Sequence, residues 1–229
     1  VASNQPNLSN LLVAHSQPQS AAAEAYRTLR LNIQFASPDR PLHTLLATST
    51  SPDEGKSTTL ANLAITLAQA GHRTILVDAD LRRPSLHKLF GLGNESGLTS
   101  LVLATTSDAN SAVQRTMQDN LALLTSGPLP PNPSELLSSN RMGEIIAMLA
   151  ASAEYVLFDT PPILAVSDAA VLAPRVDGCL LVINAGQTRR DPARRAKATL
   201  EKVGANIVGV VLNNAKEEGY AYYGEEKGR

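Results

Sequence analysis

The sequence predicts an α/β fold, a mainly parallel sheet with helices on both faces. Apolar runs of strand length alternate with helix-length segments along most of the 229 residues, which is the pattern of a parallel sheet joined by crossover helices. The runs LHTLLATS, RTILV and YVLF each end in a polar motif: SPDEGKST (51–58), VDADLRRP (77–84) and LFDTPP (157–162). In open α/β sheets the carboxyl ends of the strands form the ligand crevice, so three polar motifs at three strand ends converge on one site.

Each element follows from local signals. Residues 1–19 are rich in Asn, Gln, Ser and Pro and read as a flexible lead-in. A helix is expected over 20–35 and the first strand over 42–48, followed by a crossover helix (TTLANLAITLAQAG) that stops near Gly71. The next strand covers 73–77, and 84–118 is mixed loop and short helix. A strand over 120–125 leads into 128–133, stiffened by four prolines. A single helix over 134–151 then precedes the strand 155–158. Helix 167–172, strand 178–184, helix 192–203 and strand 207–212 close the pattern, with no internal repeat. The division is thus a lead-in (1–19), one domain (20–213) and a tail (214–229).

Bulk properties narrow the function classes. An apolar content of 43% supports a core, and no run of about twenty apolar residues suggests a membrane span. A net charge of −1 argues against a general nucleic-acid binder. The single cysteine, Cys179, lies in the apolar run DGCLLVI and reads as a packed core residue, consistent with a reducing cytoplasm. There is no signal peptide, and a first residue Val1 in place of Met suits a cytoplasmic part of a longer membrane protein.

The motifs point at a nucleoside triphosphate and its magnesium ion. A loop entering a helix presents unpaired N–H groups to phosphate oxygens, and the helix dipole adds positive potential. Gly55 lets the backbone approach the phosphates, Lys56 supplies a charge between the β- and γ-phosphates, and the Ser57 hydroxyl is a magnesium ligand. Thr50 stands where the strict G-x-x-x-x-G-K-[ST] pattern has its first glycine, so GKST alone does not separate a phosphate loop from an ordinary helix entrance. The aspartate motifs do. Asp78 and Asp80 sit two apart at a strand end, where extended residues share a face, so both can address one ion or hydroxyl. Asp159 ends YVLF as a carboxylate that holds magnesium directly or through water. Capping of a following helix is the structural alternative for such aspartates.

Together these residues resemble the bacterial tyrosine kinases (BY-kinases) of polysaccharide export and chain-length control, over most of the chain. SPDEGKST is similar to that family's Walker A, VDADLRRP to its Walker A′ and LFDTPP to its Walker B. EAYRTLRLNIQF (24–35) resembles its E-x-x-R-x-x-R helix, SGPLPPNPSELL (126–137) its intervening segment, and Tyr220, Tyr222 and Tyr223 its terminal tyrosine cluster. Asp53 departs from the family loop, where a glycine is common; it either adds a carboxylate near the phosphates or points to solvent.

The resemblance implies a P-loop NTPase fold of the partitioning-ATPase type, with ATP and Mg2+ as cofactors and protein tyrosines as substrates. Nucleotide is expected against Ser51, Pro52, Asp53, Glu54, Gly55, Lys56, Ser57 and Thr58, with Asn213 as an adenine-edge contact by analogy with related P-loop ATPases. Ser57, Asp80 and Asp159 would organise magnesium, and Asp78 would orient or deprotonate the incoming tyrosine; Lys56, Asp78 and Asp80 thus form the catalytic set.

Partners follow in the same way. By spacing alone, Glu24, Arg27 and Arg30 share one side of a helix and read as a solvated face with a local Glu24–Arg27 pair. The resemblance makes them the joint of a ring-like homo-oligomer. The tail AKEEGYAYYGEEKGR has little aliphatic surface to bury, which suits accessible phosphate acceptors. The run TRRDPARRAK (188–197) reads as a solvated helix face, with a contact to phosphates, phosphotyrosines or anionic lipid as the alternative. A transmembrane activator, or a transmembrane part of its own, would place the protein in the cytoplasm at the inner face of the membrane. Two other functions share the fold. A partitioning or positioning ATPase carries a second lysine early in the loop, where this chain has Ser51. A nucleotide-binding scaffold of an export complex would need no transfer chemistry at all.

Overall fold

The computed structural model describes residues 8–37, 40–103 and 112–215. Its centre is a seven-stranded sheet in the order β3-β4-β2-β5-β1-β6-β7, parallel except for the β3–β4 pair. The strands are β1 (Thr44–Ser49), β2 (Thr74–Asp78), β3 (Val113–Arg115), β4 (Leu121–Leu124), β5 (Tyr155–Asp159), β6 (Gly178–Asn184) and β7 (Ile207–Asn213). Every residue of β1 and β2 is buried, as expected of parallel strands covered on both faces.

The order places the site. β5 enters between β1 and β2, so the three strands that end in polar motifs are neighbours. Asp78 is the register partner of Asp159 across β2–β5, and Ala47 of β1 is the partner of Asp159 on the other side. Their carboxyl ends therefore open on one point, as the sequence pattern predicts.

Helix α3 (Lys56–Gln69) is buried continuously from Thr59 to Ala68. A helix apolar all round needs cover on every side. The sheet covers one face; α2 (Ala21–Phe35) and the short α1 (Val13–Ser16) cover the other. This corrects the reading of 1–19 as a flexible lead-in for its described part. Residues 8–11 form a 3-10 turn, Leu12 and Ala14 are buried, and the backbone is held by α3. Asn62 accepts from the Ala14 N–H (2.9 Å) and donates to the Leu11 carbonyl (2.9 Å), while Gln69 donates to the Ala14 carbonyl (3.0 Å). The polar composition of the segment hid this, because the side chains that satisfy its backbone lie about fifty residues away.

Two further elements differ from expectation. Over 134–151 there are two helices, α6 (Pro133–Ser138) and α7 (Asn140–Ser152), broken at Ser139. Ser139 adopts an extended ψ of 155° and its hydroxyl caps α7 by accepting from the Met142 N–H (3.2 Å), while Arg175 donates to the carbonyls of Ser138 and Ser139. Within 84–118 lie α4 (Leu86–Phe90), α5 (Leu98–Leu103) and the short antiparallel edge strand β3. The second face of the sheet is closed by α5, α7, α8 (Asp168–Leu172) and α9 (Arg190–Lys202) around a core that includes Phe158, Ile145 and Leu200. Cys179 is buried within it, and burial pushes its thiol up to about 12. Among the described residues no helix is long and apolar enough to cross a membrane.

Candidate active site

The first motif is the turn from β1 into α3. Gly55 is left-handed at φ 83°, a conformation that favours glycine, and a Cβ there would lie 2.0 Å from the Asn213 amide nitrogen and displace that side chain. Asp53 is also left-handed, at φ 62°, and exposed. A glycine fits that position without strain, and aspartate is among the few other residues that tolerate it. The first helical bond of α3 runs from Thr59 N–H to Gly55 C=O (2.8 Å). The N–H groups of Lys56, Ser57 and Thr58 are therefore the unpaired donors of a helix start, suited to phosphate oxygens.

Lys56 is the centre of charge. Its ammonium lies 3.2 Å from Asp159 Oδ1, 3.4 Å from Asp80 Oδ2 and 3.0 Å from the Ser57 hydroxyl. Burial alone would lower its pKa, but Asp159 and Asp80 outweigh that and hold it above the usual lysine range. Asp159 and Asp78 are completely buried. Burial, with the neighbouring Asp159 charge added, pushes Asp78 up to about 8. Asp159 is likewise raised by burial, against the pull of Lys56.

The two aspartates of the second motif do different things. Asp78 Oδ2 accepts the N–H groups of Ser85 and Leu86 (3.0 Å each) at the start of α4, and its Oδ1 has no partner among the described residues. Asp80 Oδ1 accepts the N–H groups of Arg82 (3.3 Å) and Arg83 (3.0 Å), which leaves Oδ2 facing Lys56. The capping alternative thus describes one oxygen of Asp78, while Asp80 fixes its own turn.

A cleft of about 500 Å³ opens above these groups. Of the expected binding residues, Pro52, Asp53, Gly55, Lys56, Ser57 and Thr58 line it, with Asp80. Ser51 is exposed beside it, Glu54 turns inward, and Asn213 lies behind the loop, donating to the Glu54 carbonyl (3.0 Å). Asp78 and Asp159 are buried behind Lys56.

Magnesium fits this donor set. Among the described residues no three His, Cys, Asp or Glu side chains form a complete cage, but magnesium keeps several waters and is bound through one or two carboxylates plus substrate phosphates. Asp159 Oδ2 is a buried carboxylate oxygen without a partner among the described residues, next to the Ser57 hydroxyl and Asp80. These are hard oxygen donors around one lysine.

Comparison with known proteins decides which chemistry such a site serves. The CobQ/CobB/MinD/ParA nucleotide binding domain family matches residues 45–223. The chain is 46% identical over 216 residues to Tyrosine-protein kinase YwqD of Bacillus subtilis (strain 168), covering 93% of this chain and 91% of that protein. It is 40% identical to Putative tyrosine-protein kinase CapB of Staphylococcus aureus, covering 94% and 96%. The kinase domain of Escherichia coli tyrosine kinase ETK matches its fold with a TM-score of 0.86 at 34% identity, over 93% of this chain and 84% of that one. The chain belongs to the bacterial tyrosine-protein kinases of this nucleotide-binding family.

In this tyrosine kinase the structure adds residues that sequence reading missed. Arg82 grips the buried Asp168 with two hydrogen bonds (2.8 and 2.9 Å), and Ser134 donates to the same carboxylate (2.6 Å). The segment 126–137 is thereby tied to the turn that holds Asp80. Leu11 of the N-terminal turn forms part of the cleft wall. No local signal marks Asp168 or Leu11, since both act through contacts made at long range.

Of the expected interface residues, Glu24 and Arg27 form the local ion pair that their spacing predicts, and Arg27 also donates to the Pro18 carbonyl. Arg30 is half-buried. Along the same helix Leu31 and Phe35 are exposed, Phe35 by 75%. Tyr220, Tyr222 and Tyr223 lie outside the described residues.

Proposed function

We propose that this kinase transfers the γ-phosphoryl group of ATP to tyrosine hydroxyls, its own Tyr220, Tyr222 and Tyr223 among them, from subunit to subunit. In the cell this activity regulates synthesis and export of an extracellular polysaccharide. The observation that carries the reading is the meeting of Lys56, Asp80 and Asp159 at three adjacent strand ends, in a chain whose relatives carry the name tyrosine-protein kinase.

Each residue has a distinct task. The loop amides and Lys56 hold the phosphates and balance the charge that spreads over the transferring group, since phosphoryl transfer depends mainly on positioning and charge neutralisation. Ser57, Asp80 and Asp159 would hold magnesium, which supplies further neutralisation of phosphate charge. Asp78 receives or orients the proton of a tyrosine hydroxyl whose ordinary pKa is near 10. Its Oδ1, without a hydrogen-bond partner among the described residues, is the oxygen left for that task. Asn213, expected at the adenine edge, instead braces the loop from behind by donating to the Glu54 carbonyl.

The proposed assembly is a ring of copies joined through Glu24, Arg27 and Arg30. It is served by a transmembrane activator, or a transmembrane part of a longer chain, at the inner face of the cell membrane. The deciding experiment incubates pure protein with labelled ATP and magnesium. Phosphotyrosine on the protein is expected; released phosphate alone would indicate a partitioning-type ATPase, and neither product a scaffold.

The paired aspartates separate binding from transfer. Asp80→Ala removes the carboxylate facing Lys56 and is expected to weaken magnesium-dependent nucleotide binding by about tenfold or more. Asp78→Asn keeps an oxygen for the Ser85 and Leu86 amides, so it should bind nucleotide within about twofold while transferring roughly 10²- to 10⁴-fold more slowly. Calorimetry and phosphorylation rates on both variants check this, and a full rate in Asp78→Asn removes it as the base.

A further inference from the structure

Glu54 lies in the phosphate loop, yet its side chain faces away from the cleft. It is 6% exposed, and its carboxylate accepts four hydrogen bonds. Oε2 takes the N–H groups of Thr50 (2.7 Å) and Ser51 (3.1 Å). Oε1 takes the hydroxyl of Thr50 (2.6 Å) and that of Thr188. An ionised carboxylate offers about four lone-pair sites. All are filled, so none remains for a magnesium ion or a nucleotide hydroxyl.

The partners come from three parts of the chain. Thr188 lies in the turn between β6 and α9, and its oxygen accepts the Asn184 N–H at the end of β6 (2.9 Å). Asn213, ending β7, donates to the Glu54 carbonyl. One loop residue is thus bound through its side chain to the β6–α9 turn and through its main chain to β7. Thr50 fits the same picture. It stands where the strict loop pattern has glycine, and both its amide and its hydroxyl are committed to Glu54.

We propose that Glu54 is a positioning residue for nucleotide binding. Its carboxylate latches the amides of Thr50 and Ser51 to Thr188, so the phosphate loop and the β6–α9 turn are one rigid unit before nucleotide arrives. A loop already held in its bound shape binds without a further ordering cost. The consequence for binding rests on the nucleotide reading of the site; the latch itself does not.

The test uses the full chain and the variants Thr188→Val, Thr188→Ser, Glu54→Gln and the double Glu54→Gln, Thr188→Val. Two quantities are read: hydrogen exchange at the Thr50 and Ser51 amides in nucleotide-free protein, and MgADP affinity by calorimetry. Thr188→Val keeps the side-chain shape but loses the hydroxyl, and should speed exchange at both amides and weaken MgADP by about tenfold. Thr188→Ser should restore both to within about twofold, and adding Thr188→Val to Glu54→Gln should cost less than about twofold more, because their losses overlap in the bond they share. Unchanged exchange in Thr188→Val, a serine variant no better than valine, or additive losses in the double variant would each overturn the latch. Absent MgADP binding by the unaltered chain would count against the nucleotide reading instead, and the exchange data would still decide the latch.

Discussion

Lys56→Met is expected to abolish phosphotyrosine formation, with a loss of at least about a hundredfold. In the proposed mechanism its charge faces the transferring phosphoryl group, where one such contact is worth ~3 kcal/mol or more in the transition state. The same substitution leaves Asp80 and Asp159 without their cation, 3.4 and 3.2 Å away. Breaking a buried ion pair by removing one partner costs ~3–5 kcal/mol when the remaining charge persists. Here the cost is blunted, because burial already raises the Asp159 pKa and a proton can replace the lost charge. Methionine also fills much of the lysine stem's volume. The variant should therefore fold, with a lowered melting temperature, and fail in transfer. Labelled ATP and a melting curve on one preparation check both statements. Near-normal autophosphorylation would take Lys56 out of the mechanism and reduce the motif to a helix entrance.

Unphosphorylated protein is expected to run in light scattering as an oligomer several-fold heavier than the 24.2 kDa chain. Lys56→Met or phosphatase treatment would supply it. Phosphorylation of Tyr220, Tyr222 and Tyr223 adds about −1.5 to −2 charge per site at neutral pH, beside Glu217, Glu218, Glu225 and Glu226. That charge should drive the tail from its neighbour and shift the mass towards monomer. The double variant Arg27→Ala, Arg30→Ala should do the same without phosphorylation. The face of α2 suits a second copy: Leu31 and Phe35 are exposed beside the charged residues, and a ring would cover that apolar surface. A mass unmoved by both treatments would break the link between this helix, the tail and assembly, and leave the nucleotide site as described.

Much of the site was legible in the sequence because its chemistry is local. A helix start with GKST needs no distant residue to present its amides, and aspartates that close buried strands must open at the sheet's carboxyl edge. That is why Lys56, Ser57, Asp80 and Asp159 meet where the motifs place them. Six of the seven strands were legible for the same reason, β6 spanning Gly178–Asn184 as its unbroken apolar run predicts, whereas the short edge strand β3 (Val113–Arg115) fell in a segment read as loop and short helix. The break at Ser139 was less legible, since a capping serine inside a helix-length pattern competes with continuation, and Arg175, which gathers the freed carbonyls, comes from far along the chain.

By itself, then, the sequence determined the fold class, the three strand-end motifs and the family resemblance, all of which rest on periodicity and residue type within a few positions. The tertiary structure alone decided what each carboxylate faces. Glu54 and Asp53 are near neighbours in one polar loop; one is buried with four donors and the other exposed at a positive φ. Asp78 and Asp80 alternate on one segment, yet one meets the start of α4 and the other Lys56. The N-terminal turn reads as loose polar chain until Asn62 and Gln69 of α3 supply its backbone partners. Each of these outcomes depends on groups brought together from distant positions, and short-range pattern carries no information about which donor will fill a given lone pair.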